Sequence, residues 1–131
     1  MKVYNRHERA IAAPPERIAE LIEDFDRVWP TELGPAPRPL GHGLYEAGSM
    51  MLWKAIDRPG RVRAFRVVRP EGLRLEHWFE LERVGGGTVL SHTIDGRAVG
   101  EYEQIWSERI GADHDPFIEA LFDNVAARAA T

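Results

Sequence analysis

Between Ser49 and Asp95 the chain patterns as a β-meander, and two of its strands fix each other's register. Leu73, Leu75, His77, Phe79 and Leu81 fall on one face of a strand; Arg74, Glu76, Trp78, Glu80 and Glu82 fall on the other. Successive strand side chains point to opposite faces, so the first set is the inner one. After Gly85-Gly86-Gly87, the next strand places Leu90, His92 and Ile94 on one face and Val89, Ser91, Thr93 and Asp95 on the other. A two-residue turn at Gly85-Gly86 pairs Val84 with Gly87. That register sets Leu81 opposite Leu90, Phe79 opposite His92 and His77 opposite Ile94, and the two apolar faces coincide. His77 and His92 become diagonal neighbours, roughly 7 Å apart or less between Cβ atoms. Two readings of the pair follow. They are core histidines satisfied by neighbouring groups or water, or they face an internal cavity and contact a ligand.

The rest of the pattern frames this meander. Four strands are expected at about Ser49–Asp57, Arg61–Arg69, Leu73–Arg83 and Thr88–Asp95, joined by Arg58-Pro59-Gly60, Pro70-Glu71-Gly72 and the glycine triplet. Lys2 to Ile11 reads as a polar first strand whose faces do not identify an inner side. Ala13-Pro14-Pro15 stops it and opens a helix, in which Ile18, Leu21, Ile22 and Phe25 form one stripe. Asp26 to Trp29 suggests a short second helix ended by Pro30. Pro30 to Gly48 is rich in Pro and Gly and reads as loop, with a brief strand at Leu44-Tyr45; it is long enough to serve as a lid. At the other end, Tyr102, Ile105, Trp106 and Ile110 recur at helical spacing, with Gly111 as a C-terminal cap. Asp115 then caps a second helix with Pro116 at its first position and Phe117, Ile118, Leu121, Phe122, Val125 and Ala129 on its apolar face. Strand, helix, meander and closing helices make an α+β pattern.

Composition narrows the function classes. The 131 residues suffice for one domain, 1–131, with a proper core. A net charge of −4 gives no basic field for nucleic acid. The absence of cysteine removes disulfides, thiolate nucleophiles and cysteine zinc sites. No signal peptide and no apolar run of bilayer length is present, so no membrane insertion and a cytoplasmic location are expected.

The polar first strand running into Ile11-Ala12-Ala13-Pro14-Pro15-Glu16-Arg17-Ile18, then Leu21-Ile22-Glu23-Asp24-Phe25 and Trp29, resembles the START-like SRPBCC superfamily, its polyketide cyclase/dehydrase-like branch in particular. Gly48 before the meander and Gly85-Gly86-Gly87-Thr88 before its last strand add to the resemblance, which spans nearly the whole chain. It implies a helix-grip fold: a curved antiparallel sheet wrapped around a C-terminal helix, with an apolar cavity between them. Members bind lipids, sterols, polyketides, quinones or hormones, and some catalyse cyclisation or dehydration. This chain departs in two ways. It is short, so a strand of the usual meander is expected to be missing or reduced, and its C-terminal helix is expected to break between Gly111 and Asp115.

A cavity in that position draws its lining from separate elements: Trp29, Trp53, Phe65, His77, Phe79, His92, Tyr102 and Trp106. Aromatics with a few polar groups are the usual make-up of a small-molecule site, although each aromatic alone would equally serve a core. His77 and His92 are also the candidates for acid–base catalysis, but Glu76 and Glu80 point away from them and no orienting carboxylate is evident. His7 would join them only if the first strand pairs beside the last. Three imidazoles would then suit zinc, yet no HExxH or local ligand spacing is present, and neither metal nor cofactor is expected. His42 and His114 are expected at the surface. The cluster Arg58, Arg61, Arg63, Arg66 and Arg69 reads as a solvated face, with Arg63 beside Phe65 and Val67, and Arg66 beside Val62. The expected function is binding of a small hydrophobic or amphipathic molecule. The alternatives are a cyclase/dehydrase-type enzyme and a protein-interaction module without ligand. An exposed Trp78 on the outer face points to a possible homodimer.

Overall fold

The computed structural model describes residues 1–55 and 60–131. The expected Arg58-Pro59 turn, and the end of the strand leading to it, lie outside the described residues. Among the described residues, seven strands form one antiparallel sheet: β1 (Lys2–Ile11), β2 (Arg38–Gly41), β3 (Leu44–Ala47), β4 (Met50–Lys54), β5 (Arg61–Arg69), β6 (Leu73–Val84) and β7 (Gly87–Ala98), in the order β1-β7-β6-β5-β4-β3-β2. Among the described residues the meander is not short of a strand: β3 takes up the brief strand expected at Leu44-Tyr45, and β2 arises from residues that read as loop. Helix α1 (Pro15–Glu23) follows β1, and two 3-10 turns, Phe25–Arg27 and Thr31–Leu33, lead on to β2. The chain closes with α2 (Tyr102–Ile105), a π-helical turn (Trp106–Ile110) and α3 (Gly111–Ala129). A curved sheet gripping this long helix is the helix-grip α+β fold.

The β6–β7 register is the one read from the sequence: Val84 opposite Gly87, Leu81 opposite Leu90, Phe79 opposite His92 and His77 opposite Ile94. Strand β7 runs past Asp95 because Gly96 allows it. At φ +153°, an added Cβ would lie 2.0 Å from the Arg74 carbonyl oxygen, so only glycine lets the two backbones meet there.

The C-terminal helix is continuous where a break was expected. Gly111 is helical and lies under Trp106, whose ring would sit 3.2 Å from an added Cβ; it makes room for an indole rather than ending the helix. Pro116 sits inside α3, forgoing one backbone hydrogen bond. Asp115 does not cap. Its carboxylate accepts from Asn5 Nδ2 at 2.9 Å and meets His7 Nε2 at 2.9 Å.

That contact explains the polar first strand. With β1 paired to β7, Asn5, His7 and Arg9 face the helix, while Val3 and Ile11 at the two ends are buried. Asp115, Glu119 and Asp123 recur every four residues on α3 and receive them: Arg9 binds Glu119 and Asp123 at 2.6 Å each. The inner face of β1 is thus matched by charge at its centre and by apolar burial at its ends.

Strand β5 carries a bulge. Val62 opposes Phe79 and Phe65 opposes His77, so one residue is extra, and Arg63 takes φ +49°. The bulge overturns the simple alternation: Val62 and Phe65 both face inward. Arg63 folds its guanidinium 4.2 Å from the Phe25 ring centre. The neighbouring arginines are also engaged: Arg61 stacks on Trp78 at 3.7 Å and Arg66 pairs with Glu76 at 3.0 Å. Trp78, expected to be exposed, is covered by that stack and only 8% exposed.

Two hydrophobic clusters result. One gathers α1, the distal half of α3 and the Phe79/Leu90 part of the sheet around Ile18, Leu21, Leu121, Phe122 and Val125. The other gathers Val3, Leu73, Leu75, Ile94 and Ala98, with Tyr102, Trp106 and Ile110 packed on it.

Candidate functional site

Between these clusters lies a cavity of about 320 Å³, the low end of the range for small-molecule pockets. The sheet contributes Met50, Leu52, Phe65, Val67, Leu75 and Ile94; the helix contributes Trp106, Ile110, Phe117, Ile118 and Leu121. Phe25 and Trp29 enter from behind α1, and Leu33, Gly34, Pro35 and Pro37 from the segment expected to be a lid. Trp29 is oriented by its Nε1–H, which donates to the Gly34 carbonyl at 3.1 Å.

Six of the eight residues nominated from sequence meet there: Trp29, Phe65, His77, Phe79, His92 and Trp106. Trp53 does not. It pairs across the sheet with Arg66 and is 37% exposed, while its neighbour Leu52, opposite Val67, takes the inward position. Met50-Met51-Leu52-Trp53 has no polar–apolar alternation, so nothing in the segment itself shows which face is inner. Tyr102 does not line the cavity either; it packs on the second cluster and against Gly72, where an added Cβ would lie 2.3 Å from its ring.

The polar part of the wall is three imidazoles. His77 Nδ1 and His92 Nε2 are 3.3 Å apart. His77 stacks on Phe65 with ring centres 5.4 Å apart, and His92 lies 4.7 Å from the Phe79 ring. The third is His114, expected at the surface but placed on the cavity wall by the unbroken helix, with its ring 5.2 Å from that of His92. Its signal was present: His114, Phe117, Ile118 and Leu121 share helical spacing, hidden by reading Gly111 as a helix end.

Burial lowers all three. His77 is pushed down to about 4, with the proximity of His114 adding to the effect. His114 is likewise pushed to about 4 by burial, with His7 adding and Asp115 opposing. His92 is driven well below the usual histidine range by burial and then by the three other imidazoles. All three are neutral near pH 7. Two of their nitrogens, His92 Nδ1 and His114 Nε2, are buried without a hydrogen-bond partner.

His7 behaves oppositely, although it sits opposite His92 and its ring is 5.9 Å from that of His114. Both of its nitrogens meet carboxylates, Glu119 and Asp115, at 2.9 Å. Only an imidazolium donates from both nitrogens. Burial alone would lower its pKa, but the hydrogen bonds to Glu119 and Asp115 outweigh it and the pKa is raised. The same bonds hold Asp115 and Glu119 below the usual carboxylate range. His7 thus belongs to the β1–α3 seam rather than to the cavity, and among the described residues no group of three or more side chains is placed to hold a metal ion. No helix among them is long and apolar enough to cross a membrane.

No family model and no curated protein matches the sequence. Solved structures do match. Ara h 8.0201 is similar over 99% of both chains, with a TM-score of 0.69 and 13% identity. The Zhui aromatase/cyclase from Streptomyces sp. R1128 matches over 99% of this chain and 94% of its own, with a TM-score of 0.65 and 16% identity. A protein from Thermobifida fusca matches over 96% and 92%, with a TM-score of 0.66 and 17% identity. The chain shares the helix-grip fold of these structures.

Proposed function

We propose that residues 1–131 form one ligand-binding domain whose cavity encloses a small hydrophobic or amphipathic molecule, with its polar end at the histidines. The observation that carries this reading is the division of the wall: aromatic and aliphatic side chains from sheet, helix and loop, with polarity concentrated at His77, His92 and His114. Such a wall rewards an apolar ligand with one oriented polar group. Trp29, Phe65, Phe79 and Trp106 form its apolar contacts. The fold shared with an aromatase/cyclase supports the reading without fixing the ligand.

The test is native mass spectrometry of freshly purified protein against its denatured mass, followed by titration with naphthalene read by tryptophan fluorescence. A reproducible extra mass lost on denaturation, or saturable quenching by naphthalene, is the expected result. A bare protein that takes up no apolar probe overturns the proposal. An interaction module without ligand would need neither the void nor imidazoles on its wall. The second reading, an acid–base enzyme of the cyclase/dehydrase kind, is favoured by one observation: the cavity holds neutral imidazoles in contact with one another.

A further inference from the structure

His77 and His114 both line the cavity, and His92 connects them. The ring centres of His77 and His92 are 5.4 Å apart, and at that spacing their nitrogens already approach to 3.3 Å. His92 and His114 are closer still, 5.2 Å between centres, and the nitrogens left over on these two rings, Nδ1 and Nε2, are the buried unpartnered ones. A buried polar atom left without a partner is costly. A hydrogen bond between these two atoms is the one further link that a continuous row requires. The three rings then form one row, both ends of which border the same apolar space.

A neutral imidazole has one nitrogen that donates and one that accepts. It takes a proton on one side while releasing one from the other and stays uncharged throughout. In a wall this apolar, that property decides which chemistry is open. A step that leaves an imidazolium bears the full burial penalty; a concerted passage along the row does not.

We propose that His77, His92 and His114 form a proton-passing row that interconverts the keto and enol forms of an apolar carbonyl compound in the cavity. This rests on the ligand-binding reading above and names its substrate class. The α-carbon–hydrogen bond breaks and its proton goes to Nε2 of His77. The proton on His77 Nδ1 passes to His92 Nε2, the one on His92 Nδ1 to His114 Nε2, and the one on His114 Nδ1 to the carbonyl oxygen. The carbon–hydrogen electron pair becomes the carbon–carbon π bond, and the carbonyl π pair becomes the new oxygen–hydrogen bond. Each ring gains and loses one proton, so no ion forms and no co-reactant is consumed. His77 and His114 touch the substrate in this scheme; His92 acts through them.

The experiment uses 2-tetralone, a two-ring enolisable ketone, and follows exchange of its α-protons in D2O by NMR, with its affinity measured separately by tryptophan fluorescence. The expected result is exchange about a hundredfold or more above buffer, within the usual reach of acid–base catalysis. His92→Gln keeps a hydrogen-bonding side chain but does not pass a proton. It should lose most of that acceleration while 2-tetralone still binds, whereas His42→Gln in the exposed loop should change neither exchange nor affinity. Bound 2-tetralone with exchange at the buffer rate, or full acceleration in His92→Gln, overturns the row and leaves ligand binding standing. Failure of both 2-tetralone and naphthalene to bind overturns both. A check on the unsubstituted protein needs no folded variant: 2-tetralone must shift the imidazole nitrogen-15 resonances of all three histidines together, and a response confined to one sinks the proposal.

Discussion

The two ends of the β6–β7 hairpin share a face and a register but were built for different purposes. At one end Leu81 faces Leu90, which is fully buried beneath Ile18, Leu121 and Phe122. Four residues along β6 the same face presents His77, and the space above it stays open. The difference lies in what covers the strands. The closed end is roofed by α1 crossing the distal half of α3, two amphipathic helices that interdigitate. The open end is roofed by the π-helical turn and the Leu33–Pro37 segment, which reach across without filling the gap. A single sheet face thus supplies a core and a site, and the helices decide where one gives way to the other.

The sharpest way to break this comparison is to remove one large side chain from each end. Phe122→Ala should cost about 3–5 kcal/mol, because it opens a void in a fully packed region. Ile94→Ala, on the cavity wall, should cost clearly less than the ~2–5 kcal/mol typical of such truncations, since its side chain already lacks neighbours on one side. Paired urea melts measure both; equal losses would mean that the cavity is filled or collapsed in solution.

Acid separates cavity from seam with an intermediate effect. The unfolded chain protonates its histidines near the ordinary 6.5, but the folded chain resists protonating His77 and His114 until about 4. The contribution of these two groups is therefore complete above pH 6.5. Each of the two groups then removes roughly 1.4 kcal/mol per pH unit as pH falls towards 4. His7 has the opposite sign: its raised pKa contributes fully below 6.5 and is lost as pH rises through the folded value. Urea melts from pH 4 to 9 should show loss on both sides, with His77→Phe flattening the acid limb and His7→Gln the other. An unaltered acid limb in His77→Phe would contradict the burial described here.

The smallest expected effect belongs to Trp53. Placed outside the cavity and partly exposed, it should tolerate Trp53→Ala within about 0.5 kcal/mol, the usual range for surface changes, with naphthalene affinity unchanged. A loss of affinity would return Trp53 to the site.

These outcomes follow the line between what was legible in the chain and what was not. The β6–β7 register was legible because both strands alternate and a glycine turn fixes their pairing. The inward face of β4 was not, because Met50 to Trp53 are all apolar and only pairing with Val67 and Arg66 sorts them. Val62 was misplaced because a bulge leaves no mark in a run of Arg and Val. Gly111, Asp115 and Pro116 are honest helix-end signals in isolation; here Trp106 packing on Gly111 and the attraction of Asp115 to β1 overrule them. That override moved His114 into the cavity, so the site was two-thirds visible in its imidazoles and the missing third was a consequence of tertiary structure.

The polar first strand has a further consequence during synthesis. β1 is made before β7, yet all its ladder partners lie between Thr88 and Arg97, and the partners of Asn5, His7 and Arg9 lie later still, on α3. Until they emerge from the ribosome, β1 is a strand with no neighbour, the kind of segment that pairs with a wrong chain. Asn5, Arg6, His7, Glu8 and Arg9 keep it hydrated during that wait. The charges that later lock β1 onto the helix serve first as its protection from aggregation.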